Sequence, residues 1–121
     1  MAEIHKVVIY LKRRPGLSVA EFRDYYENVH VKLTGKYASP AMVKYVRRYV
    51  EPVPNLETGE SGELDFDVMT ELWFDNAAHA RGVLAIAEKM TFPADVLADE
   101  ENVFDRSKTR YAAIVESESV L

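Results

Sequence analysis

Residues Leu64 to Phe74 read LDFDVMTELWF, and the alternation within this stretch decides the fold. Its even positions, Leu64, Phe66, Val68, Leu72 and Phe74, are apolar, with Thr70 the exception. Its odd positions are Asp65, Asp67, Met69, Glu71 and Trp73. Successive side chains on a strand point to opposite faces, so one face of this strand can lie under a helix. The other combines carboxylates with an indole and a thioether, which reads as the wall of a polar-lined cavity.

Working back toward the N-terminus, Val43 to Glu51 reads as a second strand, with Tyr45, Arg47 and Tyr49 on one face. Pro52 and Pro54 end it, and the polar run from Asn55 to Glu63, with Gly59 and Gly62, is a connection between strands. Ile4 to Lys12 is a further strand, closed by Arg13, Arg14, Pro15 and Gly16. Between these two strands lies a helix. Ser18 offers the N-cap and Glu21 completes a capping box. Phe22, Tyr25, Tyr26, Val29 and Leu33 then form an apolar stripe, and Gly35 is the stop. His30 falls roughly 80° from the centre of that stripe, at its edge.

Toward the C-terminus, Asp75 or Asn76 caps a second helix with a stripe of Ala80, Val83, Leu84, Ala87 and Met90. Thr91 to Lys108 reads as irregular after Pro93, with a short helical turn over Ala94 to Glu101. Thr109 to Glu116 is the last strand, and the final five residues fray. The order β-α-β-β-α-β is the ferredoxin-like α+β arrangement, a four-stranded antiparallel sheet with two helices on one face. Two helices cover one face only. A second copy is therefore expected to cover the face with Tyr45, Met69 and Trp73, so that a homodimer closes a barrel around a pocket. Each aromatic side chain buried there contributes roughly 1.5–3 kcal/mol.

Composition narrows the chemistry. The 121 residues make one domain, 1–121, with 48% hydrophobic residues and a net charge of −5. Basic residues are scattered along the chain, which argues against nucleic acid. With no cysteine, disulfides, thiolate nucleophiles and thiolate metal sites are excluded. No apolar run approaches the ~20 residues of a membrane span. The opening MAEIHKVVIY lacks a leader layout, so a cytoplasmic location is expected.

Several runs together resemble the EthD family of dimeric α/β-barrel proteins. They are KVVIYLKRRPGLSVAEFRDYYENVHVKL, VKYVRRYV, DFDVMTELWFD and DEENVFDRSKTRYAAIVE, covering nearly the whole chain. The helix carrying Phe22, Tyr26 and His30 is the most telling, since family members usually keep a histidine there. Related barrels include cofactor-free polyketide cyclases, methylmuconolactone isomerases, fungal pigment dehydratases and quinone-forming monooxygenases. The resemblance implies a cofactor-independent lyase, dehydratase, isomerase or cyclase acting on a hydrophobic cyclic or aromatic small molecule. A ligand binder accessory to an oxygenase and a cofactor-independent monooxygenase are the alternatives.

His30 is the first candidate for catalysis, because an imidazole takes or gives a proton near neutrality. A histidine packed at a helix edge is the plainer account. Asp67 and Glu71 share a face about 13 Å apart, too far to share a proton. Each would act alone, orienting His30, pairing with Arg47 or forming a salt bridge to Arg47 or Arg48. Arg47 is a candidate to hold a developing oxyanion. Tyr10, Tyr26, Tyr45, Tyr49, Met69, Trp73 and Phe104 are the candidate substrate wall, with interface packing as the competing role. His5 and His79 lack metal-ligand spacing with His30, so no metal or other cofactor is expected.

Overall fold

The computed structural model describes residues 3–121; Met1 and Ala2, which belong to the stretch read for a leader, lie outside the described residues. Four strands, β1 (His5–Leu11), β2 (Met42–Tyr49), β3 (Val68–Phe74) and β4 (Arg110–Ala113), form an antiparallel sheet in the order β2-β3-β1-β4. Helical segments follow β1 and β3. The first run is α1 (Val19–Tyr25), a π-helical turn (Tyr26–His30) and α2 (Val31–Gly35). The second is α3 (Ala77–Lys89) and α4 (Ala94–Val103), with a 3-10 turn (Arg106–Lys108) leading into β4. This is the ferredoxin-like α+β fold.

Val68, Thr70, Leu72 and Phe74 of β3 are buried, whereas Met69, Glu71 and Trp73 are half-exposed. Register extends that face. Val7 lies opposite Leu72, Ile9 opposite Thr70 and Leu11 opposite Val68. On the other side Tyr45 pairs with Leu72, Arg47 with Thr70 and Tyr49 with Val68. Tyr45 therefore faces the helices, contrary to its expected place beside Met69 and Trp73. A strand's period of two says which residues share a face, not which face the helices take. Thr70, the one polar residue of its row, is fully buried, and its hydroxyl meets the Tyr26 hydroxyl at 2.6 Å. A buried hydroxyl with a partner avoids the cost of lost hydration.

Element ends follow local chemistry. β3 begins at Val68 rather than Leu64, opposite Tyr49, where β2 ends. Asp67 instead spends its groups at the corner. Its backbone N–H donates to Leu11 O at 2.8 Å, and its carboxylate accepts from the Arg13 backbone N–H at 2.8 Å. Arg14 to Leu17 form a tight turn in which Gly16 adopts a φ of 96°, a conformation that favours glycine. Ser18 and Glu21 form the expected capping box, and Asn76 is the residue that caps α3. Met90 caps α3 at its other end in the left-handed region, and is exposed rather than part of the apolar stripe. α4 is a full helix reaching Val103 and packs against the π-helical turn, so a further helix joins the two expected from the sequence.

The first helix departs furthest from its sequence pattern. Phe22, Tyr26 and His30 are spaced by four, and an unbroken α-helix would carry His30 about 80° away from Phe22. The backbone N–H of Val31 instead reaches back five residues to Tyr26 O. This wider turn brings His30 round to the buried row, at 4% exposure, while Val29 turns outward. Among the described residues no helix is long and apolar enough to cross a membrane.

Candidate functional site

Between the covered face of the sheet and the helices lies a cavity of about 280 Å³. Its walls are mostly aliphatic and aromatic, from Ile9 and Leu11 of β1 to Val83 of α3 and Val96 of α4. Its polar side chains are Tyr26, His30, Thr34, Tyr45, Glu100 and Tyr111, with the exposed Tyr37. An apolar hollow with a few convergent polar groups is the usual form of a small-molecule site.

His30 is the group with the most defined setting. Phe104 and Tyr26 meet its ring edge-on, with centroids 5.1 and 5.8 Å away. Its Nδ1 lies 2.8 Å from Asp99 Oδ2, and the other oxygen of Asp99 accepts from the Tyr25 hydroxyl. Burial lowers the imidazole below its ordinary pKa of 6.5, while the Asp99 hydrogen bond and charge oppose that shift in part. For Asp99 burial pushes upward, but hydrogen bonds from Tyr25, His30 and Asn102 prevail and hold it below 3.8. An ionised carboxylate only accepts, so Nδ1 carries the hydrogen and Nε2 of the neutral ring is left with its lone pair.

Hydroxyl groups line up beside this pair. Tyr26 joins Thr70 to Tyr45, the latter at 3.2 Å, and Thr34 Oγ1 lies 3.5 Å from the Tyr45 hydroxyl. Burial raises the Tyr26 phenol well above its ordinary value, so it stays protonated. The Glu100 side chain is largely buried. Burial raises its carboxyl above 4.5 although Arg106 Nη2 stands 3.5 Å from Oε2.

The sequence candidates divide. His30, Tyr26, Tyr45 and Phe104 meet at the cavity. Arg47 and Tyr49 share that side of the sheet but are bound to Glu27. Arg47 grips it through two nitrogens at 2.7 and 2.9 Å, and the Tyr49 hydroxyl donates to it at 2.5 Å. Arg47 is thus paired with Glu27 and does not line the cavity. Asp67 pairs with Arg13 and Lys12 at the sheet's end, neither with Arg47 nor with His30.

Tyr10, Met69, Glu71 and Trp73 stand on the open face, with the sheet between them and His30. There Glu71 accepts from Arg48 and from the Trp73 indole, at 3.0 and 2.9 Å. Lys6 and Lys44 stand over the indole ring at 3.9 and 4.6 Å. The Arg48 hydrogen bond holds the Glu71 carboxyl below its ordinary value.

Asp99, Glu100, Tyr25 and Tyr111 escaped the sequence reading as site residues. Asp99 and Glu100 begin the acidic run DEE, at the end of the segment read as a short helical turn. The available signal was helical phase from Val96 through Glu100 to Val103, which puts Glu100 on the apolar side. His79 lies elsewhere, with Nδ1 3.0 Å from the Ser39 hydroxyl on the exposed surface. Among the described residues no three His, Asp or Glu side chains converge to hold a metal ion.

These features define a ferredoxin-like α+β domain with a hollow between its sheet and its helices. The chain belongs to the EthD domain family, whose model matches residues 14–107. The fold is shared with an ethyl tert-butyl ether D (EthD) family protein from Bacillus halodurans C-125, at 19% identity and a TM-score of 0.56. That match covers 93% of this chain and 99% of the other. An EthD-like protein from Ralstonia eutropha JMP134 aligns at 17% identity over 98% of both chains, with a TM-score of 0.57. A hypothetical Arabidopsis thaliana protein aligns at 18% identity over 97% of this chain and 91% of its own, with a TM-score of 0.50. No curated protein matches.

Proposed function

We propose that this protein is an enzyme in which His30, held by Asp99, removes a proton next to a carbonyl group of a hydrophobic cyclic molecule bound in the cavity. The observation carrying this reading is the buried His30–Asp99 pair at 2.8 Å on the wall of a largely apolar hollow. A ring whose ordinary pKa is lowered is neutral at physiological pH and able to act as a base. The Tyr45 hydroxyl, at the cavity end of the Thr70–Tyr26–Tyr45 chain, is the donor for the enolate oxygen. It takes the part that the sequence suggested for Arg47.

Ligand size follows from the hollow. A dry cavity of about 150 Å³ holds benzene. About 280 Å³ therefore suits a substituted ring or two small fused rings. Few charged groups face the hollow, which favours a neutral ligand.

Proton abstraction is tested without knowing the later steps. Phenylcyclohexanone incubated with the protein in D₂O should exchange the hydrogens beside its carbonyl, read by proton NMR. His30→Ala should slow the exchange at least ~100-fold while the fold persists by circular dichroism. Exchange at the wild-type rate in that variant would remove His30 from the mechanism. Saturable binding with no exchange would support a ligand carrier instead.

A second copy is proposed on the open sheet face. Trp73, Met69 and Tyr10 are half-exposed there, and the helices lie on the opposite side. A self-complementary pairing of two such faces would bury them. Sedimentation at micromolar concentration reads it directly, and a monomer rejects it.

A further inference from the structure

One imidazole and one carboxyl line the cavity, His30 from the π-helical turn and Glu100 from α4, and each has a partner able to carry the opposite charge, Asp99 and Arg106 respectively. Asp99 lies 2.8 Å from His30 Nδ1, so an imidazolium formed at His30 would meet a carboxylate already in place. Arg106 Nη2 lies 3.5 Å from Glu100 Oε2, so a carboxylate left at Glu100 would meet a guanidinium. The two partners suit opposite events. A base needs support after it gains a proton, and an acid needs support after it loses one. Asp99 and Glu100 are neighbours on α4, about 100° apart around its axis. One turns to His30 and the other to the hollow beside Tyr111.

Resting on the proton abstraction proposed above, we infer that Glu100 is the proton donor to a hydroxyl group of the ligand. The reaction is then loss of water from a hydrophobic β-hydroxy carbonyl compound. Apolar walls cannot solvate a departing hydroxide, so the C–O bond needs a proton delivered as it breaks. The balance closes within the site. His30 Nε2 takes the α proton, and the C–H electron pair forms the enolate whose oxygen Tyr45 holds. As the carbonyl re-forms, the enolate's C=C pair shifts to become the new α–β double bond and the β C–O pair leaves with the oxygen. Glu100 protonates that oxygen, and water departs. His30 then returns its proton to solvent and Glu100 regains one, so nothing is oxidised or reduced.

The groups facing Glu100 are consistent with this assignment. Burial raises its carboxyl, the charge of Asp99 adds to that, and Arg106 opposes both. Tyr111 from β4 is itself raised, chiefly by burial and then by the Glu100 charge. The Arg106 guanidinium is shared, since its Nη2 also donates to Leu97 O at 2.6 Å and Nη1 stands 3.6 Å from Glu101.

The probe is a phenyl-substituted β-hydroxycyclohexanone in D₂O, with α exchange followed by NMR and enone formation by ultraviolet absorbance. In Glu100→Gln, enone formation should fall about 100-fold and exchange by less than about tenfold. Glu100→Asp, which keeps a carboxyl, should recover part of the loss. A folded Glu100→Gln in which both rates fall together, or neither falls, overturns the assignment. Wild-type exchange without enone also overturns it while leaving His30 as the base; absence of exchange in the wild type overturns both. Carbon NMR of the Glu100 carboxyl in the intact protein gives an independent reading. A midpoint at or below that of an ordinary glutamate rejects the donor.

Discussion

The two faces of the sheet handle polar groups in opposite ways. On the open face Glu71, Arg48, Lys6, Lys44 and Trp73 satisfy one another, each within contact of a neighbour on the same surface. On the covered face the strands supply aliphatic residues and the hydroxyls of Tyr45, Thr70 and Tyr111, whereas the imidazole and the carboxyl at the cavity come from the helices. His30 and Glu100 both arrive that way. A partly exposed network is screened and self-neutralising, and contributes little more than modest stability. A buried pair such as His30–Asp99 must be held by its surroundings, and its proton affinity is set by them.

The sharpest way to break this contrast is a matched pair of substitutions. His30→Ala removes the cavity base and should slow α-hydrogen exchange at least ~100-fold. Arg48→Gln on the open face should leave exchange at the wild-type rate, because the sheet lies between it and the cavity. Its effect belongs in the sedimentation profile. Equal slowing of exchange by both variants would mean that the two faces are coupled, contrary to their separation here.

Asp99→Asn sharpens the cavity half of the comparison. The asparagine keeps a similar shape but removes the charge that steadies an imidazolium and fixes the Nδ1 hydrogen. Exchange should fall about tenfold, less than for loss of the base itself. Because Asp99 raises His30 against burial, its loss should lower the imidazole midpoint further. Proton NMR of the His30 ring checks that sign. An upward move would reject the pairing as the cause.

Much of the fold could be read from the chain, and the reason is periodicity. Val68 to Phe74 alternates with Thr70 as the one exception in its apolar row, Ser18 and Glu21 announce a helix start, and Pro15-Gly16 announces a turn. The site was less legible. Alternation grouped Met69, Glu71 and Trp73 correctly on one face but could not say that this face is the one without the cavity. A charged and aromatic mixture looked like a binding wall, yet it is how an open sheet face settles its own polar groups. His30 looked peripheral because a helical wheel assumes 3.6 residues per turn, and the π-helical turn at Tyr26 changes that count locally. Asp99 and Glu100 were hidden by their company in the run DEE. Only packing of α4 against the π-helical turn separates them from Glu101, which stays exposed.

Filling the hollow tests whether it is a site or a packing fault. Val83→Phe adds a ring to the α3 wall. In a well-packed core such a change costs roughly 1–3 kcal/mol. Here the ring has space to enter, so the melting temperature should hold while affinity for phenylcyclohexanone drops about tenfold, or about 1.4 kcal/mol. Thermal melts and calorimetric titration measure the two effects separately. A large fall in melting temperature would mean that the hollow closes in solution.

The smallest expected effect is on stability as pH changes, and the cavity groups make it with opposite signs. His30 binds its proton less readily folded than unfolded, so its contribution is present above the unfolded value of 6.5 and is lost as pH falls through the lower folded value. Glu100 binds its proton more readily when folded. Its contribution is present below 4.5 and is lost as pH rises through the folded value. Glu100→Gln, which cannot ionise, should therefore gain on the wild type in denaturant midpoint as pH rises above that range. Glu71→Gln on the open face should do the reverse. Its carboxyl is lowered, mainly by Arg48, so the wild type holds the advantage once pH exceeds 4.5. Because Glu71 lies on a half-exposed surface, that advantage is small and should shrink with added salt, whereas the Glu100 effect inside the cavity should persist.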